Sequence, residues 1–472
     1  MLGKTRRIHF VGVGGIGMSG IAELLANLGY AVSGSDAKRS DVTARLESTC
    51  GVSIFEGHAA GHVGDADVVV YSSAVKSANP ELVEARRRGI PVIPRAEMLA
   101  ELMRLRFSIA VAGSHGKTTT TSMIALVLER AGLDPTAVIG GRLSVFGSNA
   151  RLGRGQYLVA EADESDRSFL MLLPSIAVMT NIDHEHMDTY GSFEELQQAF
   201  ADFANKVPFY GAVIACADDP HVRDVCRQVT RRVVTYGLNE APEGVEPAVI
   251  QGRRIELGSF GGRCSVIRRA DGAATTLGTL ELAVPGRHNL QNALAVVAVA
   301  DALGLDFARV AETLRNFHGA ERRFERVGEA AGVLVVDDYG HHPTEIAAVL
   351  AAARVTLGRR VVAAFQPHRY TRTQRLMDDF GRAFTDADEV VITDIYPASE
   401  EPIPGVTSEA LADSVRRGSG RPVRVVKSID SLAADLAGAA HAGDVVITLG
   451  AGSIGAVPRR VLQALREREA RS

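Results

Sequence analysis

Ile109-Ala110-Val111-Ala112-Gly113-Ser114-His115-Gly116-Lys117-Thr118-Thr119 runs from an apolar strand through a glycine turn into a helix expected from about Lys117 to Ala131. Main-chain N–H groups in such a turn wrap phosphates. The lysine meets the β and γ phosphates, and the following threonine hydroxyl takes Mg²⁺. The eight-residue P-loop pattern needs a glycine where Val111 stands, so the match is to the shorter G-x-x-G-K-T. Gly113, Ser114, His115, Gly116, Lys117, Thr118 and Thr119 are the candidate phosphate-binding residues.

The pattern repeats on either side of this stretch. Upstream, Arg6 to Val13, Ala31 to Ser35 and Val68 to Ser72 read as strands, and Gly14 to Leu28 as a helix with apolar residues at helical spacing. Alternating strands and helices imply a parallel sheet with helices on its faces. Between the first strand and helix lies Gly12-Val13-Gly14-Gly15-Ile16-Gly17, a second glycine loop suited to a pyrophosphate. Asp36 ends the next strand, where an acid can meet a ribose. Any pyrophosphate satisfies this loop, so it does not single out a nicotinamide cofactor.

Downstream, Leu158 to Glu161 and Ala177 to Asn181 are further buried strands. The first ends in Glu161-Ala162-Asp163-Glu164-Ser165-Asp166, the second in Asn181-Ile182-Asp183-His184-Glu185-His186-Met187-Asp188. Carboxylates at a strand end can hold Mg²⁺, but most acids in such a run are solvated. Glu161 stands apart because it closes an apolar run at the carboxyl edge of the sheet. Residues 240 to 284, rich in glycine and short alternating runs, read as a small antiparallel patch, and Asn289 to Leu303 as a helix.

A third start near Glu321 brings four β-branched runs, Val333 to Val336, Val361 to Phe365, Val390 to Thr393 and Val445 to Leu449. Asp337-Asp338-Tyr339-Gly340-His341-His342-Pro343 follows the first, and Gln366-Pro367-His368-Arg369-Tyr370-Thr371-Arg372-Thr373 follows the second. Arg369 and Arg372 are three apart. In a helical turn they would face one side and clamp a carboxylate or phosphate. Three α/β domains are therefore expected, over residues 1–107, 108–320 and 321–472.

Composition fits this reading. The 472 residues carry 52 Lys and Arg against 56 Asp and Glu, a formal charge of -4, which argues against a nucleic-acid coat or a polybasic membrane binder. The four cysteines form no C-x-x-C pair, so reduced thiols are expected. No secretory leader and no run of some eighteen apolar residues is visible, and a cytoplasmic protein is expected.

The order of G-x-G-G-x-G-M, G-S-H-G-K-T-T-T-T, E-A-D-E-S-D, T-N-I-D with H-M-D, G-R-H-N-L-Q-N-A, E-R-R-F, D-D-Y-G-H-H-P-T-E and P-H-R-Y-T-R-T resembles the Mur ligase family over nearly the whole chain. The resemblance implies an α/β fold of three domains. These are a Rossmann-like N-terminal domain for a UDP-sugar, a central P-loop ATPase domain with a small antiparallel patch, and a Rossmann-like C-terminal domain that closes over ATP and amino acid. It implies an ATP-dependent, ADP-forming amide ligase of peptidoglycan precursor synthesis, with ATP and Mg²⁺ as cofactors. The P-H-R-Y-T-R-T segment points to the member that joins L-alanine to the carboxylate of UDP-N-acetylmuramate through an acyl phosphate. Partners would be those two small molecules, with no nucleic acid and no membrane, in a monomer or weak homodimer.

By matching motif positions, Gly14, Gly15, Gly17, Asp36, His58 and Ser72 become UDP-sugar candidates. Lys117, Glu161, His186 and Arg323 become catalytic candidates, and Thr118, Glu161 and His186 metal ligands. Asn289, Asn292, Arg323 and Asp338 join the P-loop residues around ATP. His341, His368, Arg369 and Arg372 match the region for the carboxylate and amino acid. Relatives more often carry alanine and an acid before the matching histidine, which makes His184 a spare metal ligand. No equivalent of the modified lysine of some members is visible. Three other readings compete: a ligase that recycles whole tripeptides, a nicotinamide-dependent oxidoreductase, and a P-loop switch without amide chemistry.

Overall fold

The computed structural model describes residues 3–72, 74–104, 106–143, 148–258, 261–270, 272–319, 322–398 and 400–470. The third domain's expected start at residues 320 and 321 lies outside them. The chain divides into two compact units. The first comprises Met1–Arg254, Cys264–Leu280 and Gln291–Asn316; the second comprises Ile255–Arg263, Glu281–Leu290 and Phe317–Ser472.

The N-terminal part of the first unit is a five-stranded sheet, order β3-β2-β1-β4-β5. Its strands are β1 (Arg7–Val11), β2 (Ala31–Asp36), β3 (Ser53–Glu56), β4 (Val68–Tyr71) and β5 (Val92–Pro94). All neighbours are parallel, and the strand order reverses between β1 and β4. Ligands of open α/β sheets sit at such a reversal, beyond the carboxyl ends of the strands. Phe10, Val11, Val69 and Val70 are fully buried, because helices cover both faces.

The second sheet has ten strands, order β15-β14-β13-β12-β11-β10-β6-β9-β7-β8. They are β6 (Phe107–Ala112), β7 (Thr136–Leu143), β8 (Ser148–Arg151), β9 (Tyr157–Glu161), β10 (Ile176–Met179), β11 (Ala212–Cys216), β12 (Val233–Gly237), β13 (Ile250–Gly258), β14 (Gly261–Ala270) and β15 (Ala273–Leu282). β6 lies between β10 and β9, parallel to both. The two strands that end in acidic runs therefore flank the one that ends in Gly113. The hydrophilic patch is expected from residue 240. Its strands begin at Ile250, and β13 enters the sheet parallel to β12.

The helix Lys117–Arg130 is buried on every side from Thr119 to Leu128, which fits a helix enclosed by the fold rather than a surface one. Its N-cap is Gly116, with φ 82° and no side-chain cap bond. Its first-turn N–H groups thus remain available to an anion.

The second unit carries a six-stranded sheet, order β16-β17-β21-β18-β19-β20. Its strands are β16 (Glu325–Ala330), β17 (Val333–Asp338), β18 (Arg360–Phe365), β19 (Glu389–Ile392), β20 (Val423–Val425) and β21 (Asp444–Leu449). The four expected runs are the four inner strands. Two edge strands are added: antiparallel β16 and three-residue β20. Every residue of β17 and β21 is buried, as strands covered on both faces require.

Candidate active site

In the first unit the phosphate loop is held from the end of β10. Ser114 N donates to Asn181 O at 3.0 Å, and His115 N to Asn181 Oδ1 at 2.8 Å. Asn181 Nδ2 and Thr180 Oγ1 both donate to His115 O, at 3.1 and 2.7 Å. Asp183 N donates to Ser114 Oγ at 2.8 Å, and the Asp183 carboxylate lies 3.1 Å from His115 Nε2. A Cβ on Gly113 would run into Thr180 Oγ1, and one on Gly116 would lie 2.6 Å from Asn292 Oδ1. Both glycines also have positive φ, 137° and 82°. Asn292, expected near the nucleotide, therefore packs on the loop itself, whereas Asn289 donates to Pro285 O at 2.7 Å.

Lys117 Nζ donates to Gly113 O at 2.6 Å, to Ser114 O at 3.3 Å and to Glu164 Oε1 at 2.8 Å. Burial works against its charge, but the Glu164 and Asp163 carboxylates outweigh it and raise its pKa, so the ammonium stays protonated. Glu164 is buried, and its Oε2 has no hydrogen-bond partner among the described residues. His186 Nε2 lies 3.6 Å from Glu164 Oε1 and 3.4 Å from Glu185 Oε2. Burial opposes protonation of His186 too, but the two glutamates raise its pKa to about 9. One ligand atom from each of Glu164, Glu185 and His186 lies within 4.8 Å of the others. A buried carboxylate oxygen without a partner is costly, and a divalent cation would satisfy it. The donor set therefore fits the expected metal.

The side chains that converge here overlap the expected ligands only in part. His186 is in it, joined by Glu164 and Glu185. Glu161 is half-buried at the end of β9, opposite Val111 of β6, and Thr118 is half-buried in the first helical turn. The spare ligand His184 is exposed. Its ring stacks on Phe193 at 3.8 Å, with His221 edge-on at 6.0 Å, so packing rather than coordination occupies it. Glu164 lay in view in the acidic run, but nothing in the spacing tied it to a lysine 47 positions away.

The first glycine loop is anchored to β2. Gly12 N and Val13 N donate to Ser35 O at 2.8 and 3.0 Å, and Gly14 N donates to Asp36 Oδ2 at 2.7 Å. Asp36, expected to meet a ribose, thus braces the loop with one oxygen. Gly17 faces Arg95, whose guanidinium a Cβ there would strike. Arg95 lies 3.8 Å from Asp163 and was not anticipated, since it is one cation in an ordinary helix start. Ser72 N donates to Val11 O at 3.2 Å, beside Gly12, and His58 lies 2.9 Å from the Glu81 carboxylate.

In the second unit the polar residues gather past β17 and β18. Asp338 Oδ2 accepts from Phe324 N at 2.7 Å and Oδ1 from Gly340 N at 2.6 Å. Burial pushes its pKa up to about 6, against the pull of Arg323 and these N–H groups. Asp338 therefore ties together the two loops that carry Arg323 and His341. The Tyr339 ring has the Arg322 and Arg323 guanidinium groups each 5.2 Å from its centre. Glu345 lies 3.5 Å from Arg323 and accepts from His341 N at 3.0 Å. The His341 and His368 rings are 5.8 Å apart, and His368 stacks on Tyr396 at 5.5 Å. Burial, then the neighbouring His341, Arg372 and Arg369, push the His368 pKa down to about 3. Arg372 donates to its Nδ1 at 3.4 Å. Arg369 does not share a helical turn with Arg372. It precedes the helix Tyr370–Arg375 at φ 72°, with its N–H on Tyr396 O at 2.8 Å. The same-face spacing argument thus fails for this pair.

A glycine loop opening a buried helix, a charged lysine within it and a carboxylate–imidazole group beside the lysine define a P-loop nucleotide-binding enzyme. Three family models match in succession: the catalytic domain of the Mur ligase family over residues 7–107, the Mur ligase middle domain over 111–300, and the glutamate ligase domain of Mur ligases over 322–452. The chain belongs to the Mur ligase family. It is 53% identical to the UDP-N-acetylmuramate–L-alanine ligase of Syntrophus aciditrophicus, over 99% of this chain and 95% of that one. It is 54% identical to the enzyme of the same name from Geobacter sp. strain M21, over 99% of both. Among solved structures it is similar to the UDP-N-acetylmuramate-alanine ligase of Thermotoga maritima, with TM-score 0.81, 30% identity and 98% and 99% of the two chains covered. It is also similar to a murein peptide ligase of Psychrobacter arcticus, with TM-score 0.70, 27% identity and 98% of both chains covered.

Proposed function

We propose that this chain joins L-alanine to the carboxylate of UDP-N-acetylmuramate, with ATP cleaved to ADP and phosphate, in peptidoglycan precursor synthesis. The observation that carries this reading is identity above 50%, end to end, with ligases of that name. A carboxylate is a poor electrophile. Phosphorylation by ATP makes it an acyl phosphate, which the amine of alanine attacks to give the amide and release phosphate. Phosphoryl transfer calls for charge neutralisation and positioning more than for covalent help.

In this reading residues 1–107 bind the UDP-sugar through Gly14, Gly15, Gly17, Asp36, His58 and Ser72. Residues 108–320 bind ATP through the loop from Gly113 to Thr119, with Asn289 and Asn292. Residues 321–472 supply Arg323 and Asp338 toward the nucleotide and His341, His368, Arg369 and Arg372 toward the carboxylate and amino acid. Thr118, Glu161 and His186, with Glu164 and Glu185, would hold Mg²⁺, which neutralises phosphate charge. Lys117 gives up its bond to Glu164 and meets the phosphates. Arg323, oriented by Glu345 and Tyr339, faces developing charge. Neutral His368 accepts from Arg372 and orients its guanidinium. No helix among the described residues is long and apolar enough to cross a membrane, and a cytoplasmic location is part of the proposal.

The test is phosphate release from MgATP with UDP-N-acetylmuramate and L-alanine each added or withheld. Release that needs both, with the sugar nucleotide heavier by one alanine residue, supports the reading. Release only with a tripeptide would assign the recycling reaction, and no release at all would leave a nucleotide-binding protein without ligase chemistry.

A further inference from the structure

A buried polar cluster stands two residues from the first glycine loop. Glu81, in the first turn of the helix Pro80–Arg87, is fully buried, and no lysine or arginine among the described residues pairs with it. Its Oε2 meets His9 Nε2 at 2.6 Å and accepts from Ser35 Oγ at 2.7 Å. Its Oε1 meets His58 Nδ1 at 2.9 Å, with His62 Nδ1 at 3.7 Å. His9 Nδ1 lies 2.8 Å from Ser33 Oγ, and the His62 ring stacks on Phe55 at 4.6 Å. Burial works against ionisation of Glu81, but hydrogen bonds from His9, Ser35 and His58 outweigh it and hold its pKa below the usual carboxylate value.

An ionised carboxylate only accepts, which fixes the protons around it. His9 must present Nε2–H to Glu81, and its Nδ1 pairs with the Ser33 hydroxyl. The Ser35 hydroxyl gives its proton to Glu81, so toward His58 Nδ1, 3.1 Å away, it can only accept. Both contacts require the proton of His58 on Nδ1. Among the described residues no group bonds His58 Nε2, and the side chain is 25% exposed. Ser35 also links the cluster to the loop, since its carbonyl holds Gly12 N and Val13 N while its hydroxyl holds Glu81.

We propose that Glu81 is a positioning residue for the sugar nucleotide. It locks His58 in the Nδ1–H tautomer and leaves Nε2 as an acceptor for a hydroxyl or imide N–H of the ligand. The inference rests on the reading of His58 as a UDP-sugar residue. A carboxylate behind an imidazole sets its tautomer and ring orientation in the same way at metal sites. Glu81 itself is closed to solvent and need not touch the ligand.

The experiment uses the full chain. Nitrogen NMR of His58 at pH 8.5, assigned with His58→Gln, reads which ring nitrogen carries the proton. Protonated Nδ1 and bare Nε2 are expected, and a proton on Nε2 overturns the proposal. Titration of Glu81→Gln with UDP-N-acetylmuramate should give an affinity about tenfold or more below wild type, with ATP affinity within about twofold. Wild-type affinity for the sugar nucleotide in that variant would also overturn it. Failure of the wild type to bind the sugar nucleotide would sink the functional reading instead. If Glu81→Gln does not fold, the wild-type tautomer still decides.

Discussion

Lys117 Nζ lies 2.8 Å from Glu164 Oε1, inside the loop that this lysine is expected to serve. The ammonium is thus already paired, with a carboxylate whose second oxygen is buried and, among the described residues, without a hydrogen-bond partner. In the proposed reaction a nucleotide would take the lysine from Glu164, and Glu164 would be among the residues that hold the divalent cation. On that proposal, binding of the two would be coupled through that carboxylate.

Lys117→Ala should lower turnover about a hundredfold or more, the scale seen when a preorganised donor to a transition-state oxyanion is removed. Because it also strands Glu164, some stability should be lost with it. Steady-state phosphate release with a parallel urea melt separates the two, and a near-normal rate would remove Lys117 from the mechanism.

Glu164→Gln and His184→Ala make opposite predictions for the metal. The first should raise the Mg²⁺ concentration for half-maximal rate roughly tenfold or more. The second removes a ring packed on Phe193 and His221 and should leave that concentration unchanged. A rate titrated with Mg²⁺ for each variant decides, and a large shift for His184→Ala would return that residue to the ligand set.

Gly113→Ala should abolish nucleotide binding. Its Cβ would strike Thr180 Oγ1, and alanine tolerates φ 137° poorly. Strain of this kind costs on the order of 1–3 kcal/mol, before the loop's displacement from Asn181 is added. Calorimetric titration with MgADP gives the answer, and wild-type affinity would show that the loop yields freely.

His368 gives a pH prediction. Its pKa is about 3 in the folded chain, against about 6.5 when unfolded. Below pH 6.5 the unfolded state binds a proton that the native state refuses. Stability should therefore fall as pH drops from 6.5 toward 3, and His368 contributes no such slope above 6.5. Urea midpoints at pH 7.5, 6 and 5 should fall less steeply in His368→Gln than in the wild type. Equal slopes would mean that the ring is protonated in the native state.

Arg372→Ala should raise KM for the sugar carboxylate or for alanine and leave ATP binding unchanged. It should also release His368 from its Nδ1 contact. Full kinetics with each substrate varied in turn would show unchanged constants if Arg372 is only a solvated residue.

Much of this was legible in sequence, for physical reasons. β1, β6, β10, β17, β18 and β21 are buried on both faces, and their apolar runs stand out. β3, β5, β16 and β20 are short strands of three to six residues, and all four are sheet edges, where pairing rather than burial makes the strand. The phosphate loop was readable because its chemistry is local. Glu164, Arg95, Asn181 and Glu81 were not, since each acquires meaning only from a partner far along the chain. The Arg369 and Arg372 spacing misled because Arg369 takes φ 72° just before the helix it was assigned to.

The Asn181 bonds to Ser114 and His115 have a thermodynamic corollary. The cradle reaches its working shape during folding, not when phosphate arrives. Ordering a backbone residue costs about 1–2 kcal/mol, and for the braced positions that entropy is already lost in the free protein. Binding affinity then escapes the tax of loop ordering, and association should be limited by encounter with the nucleotide rather than by assembly of its seat.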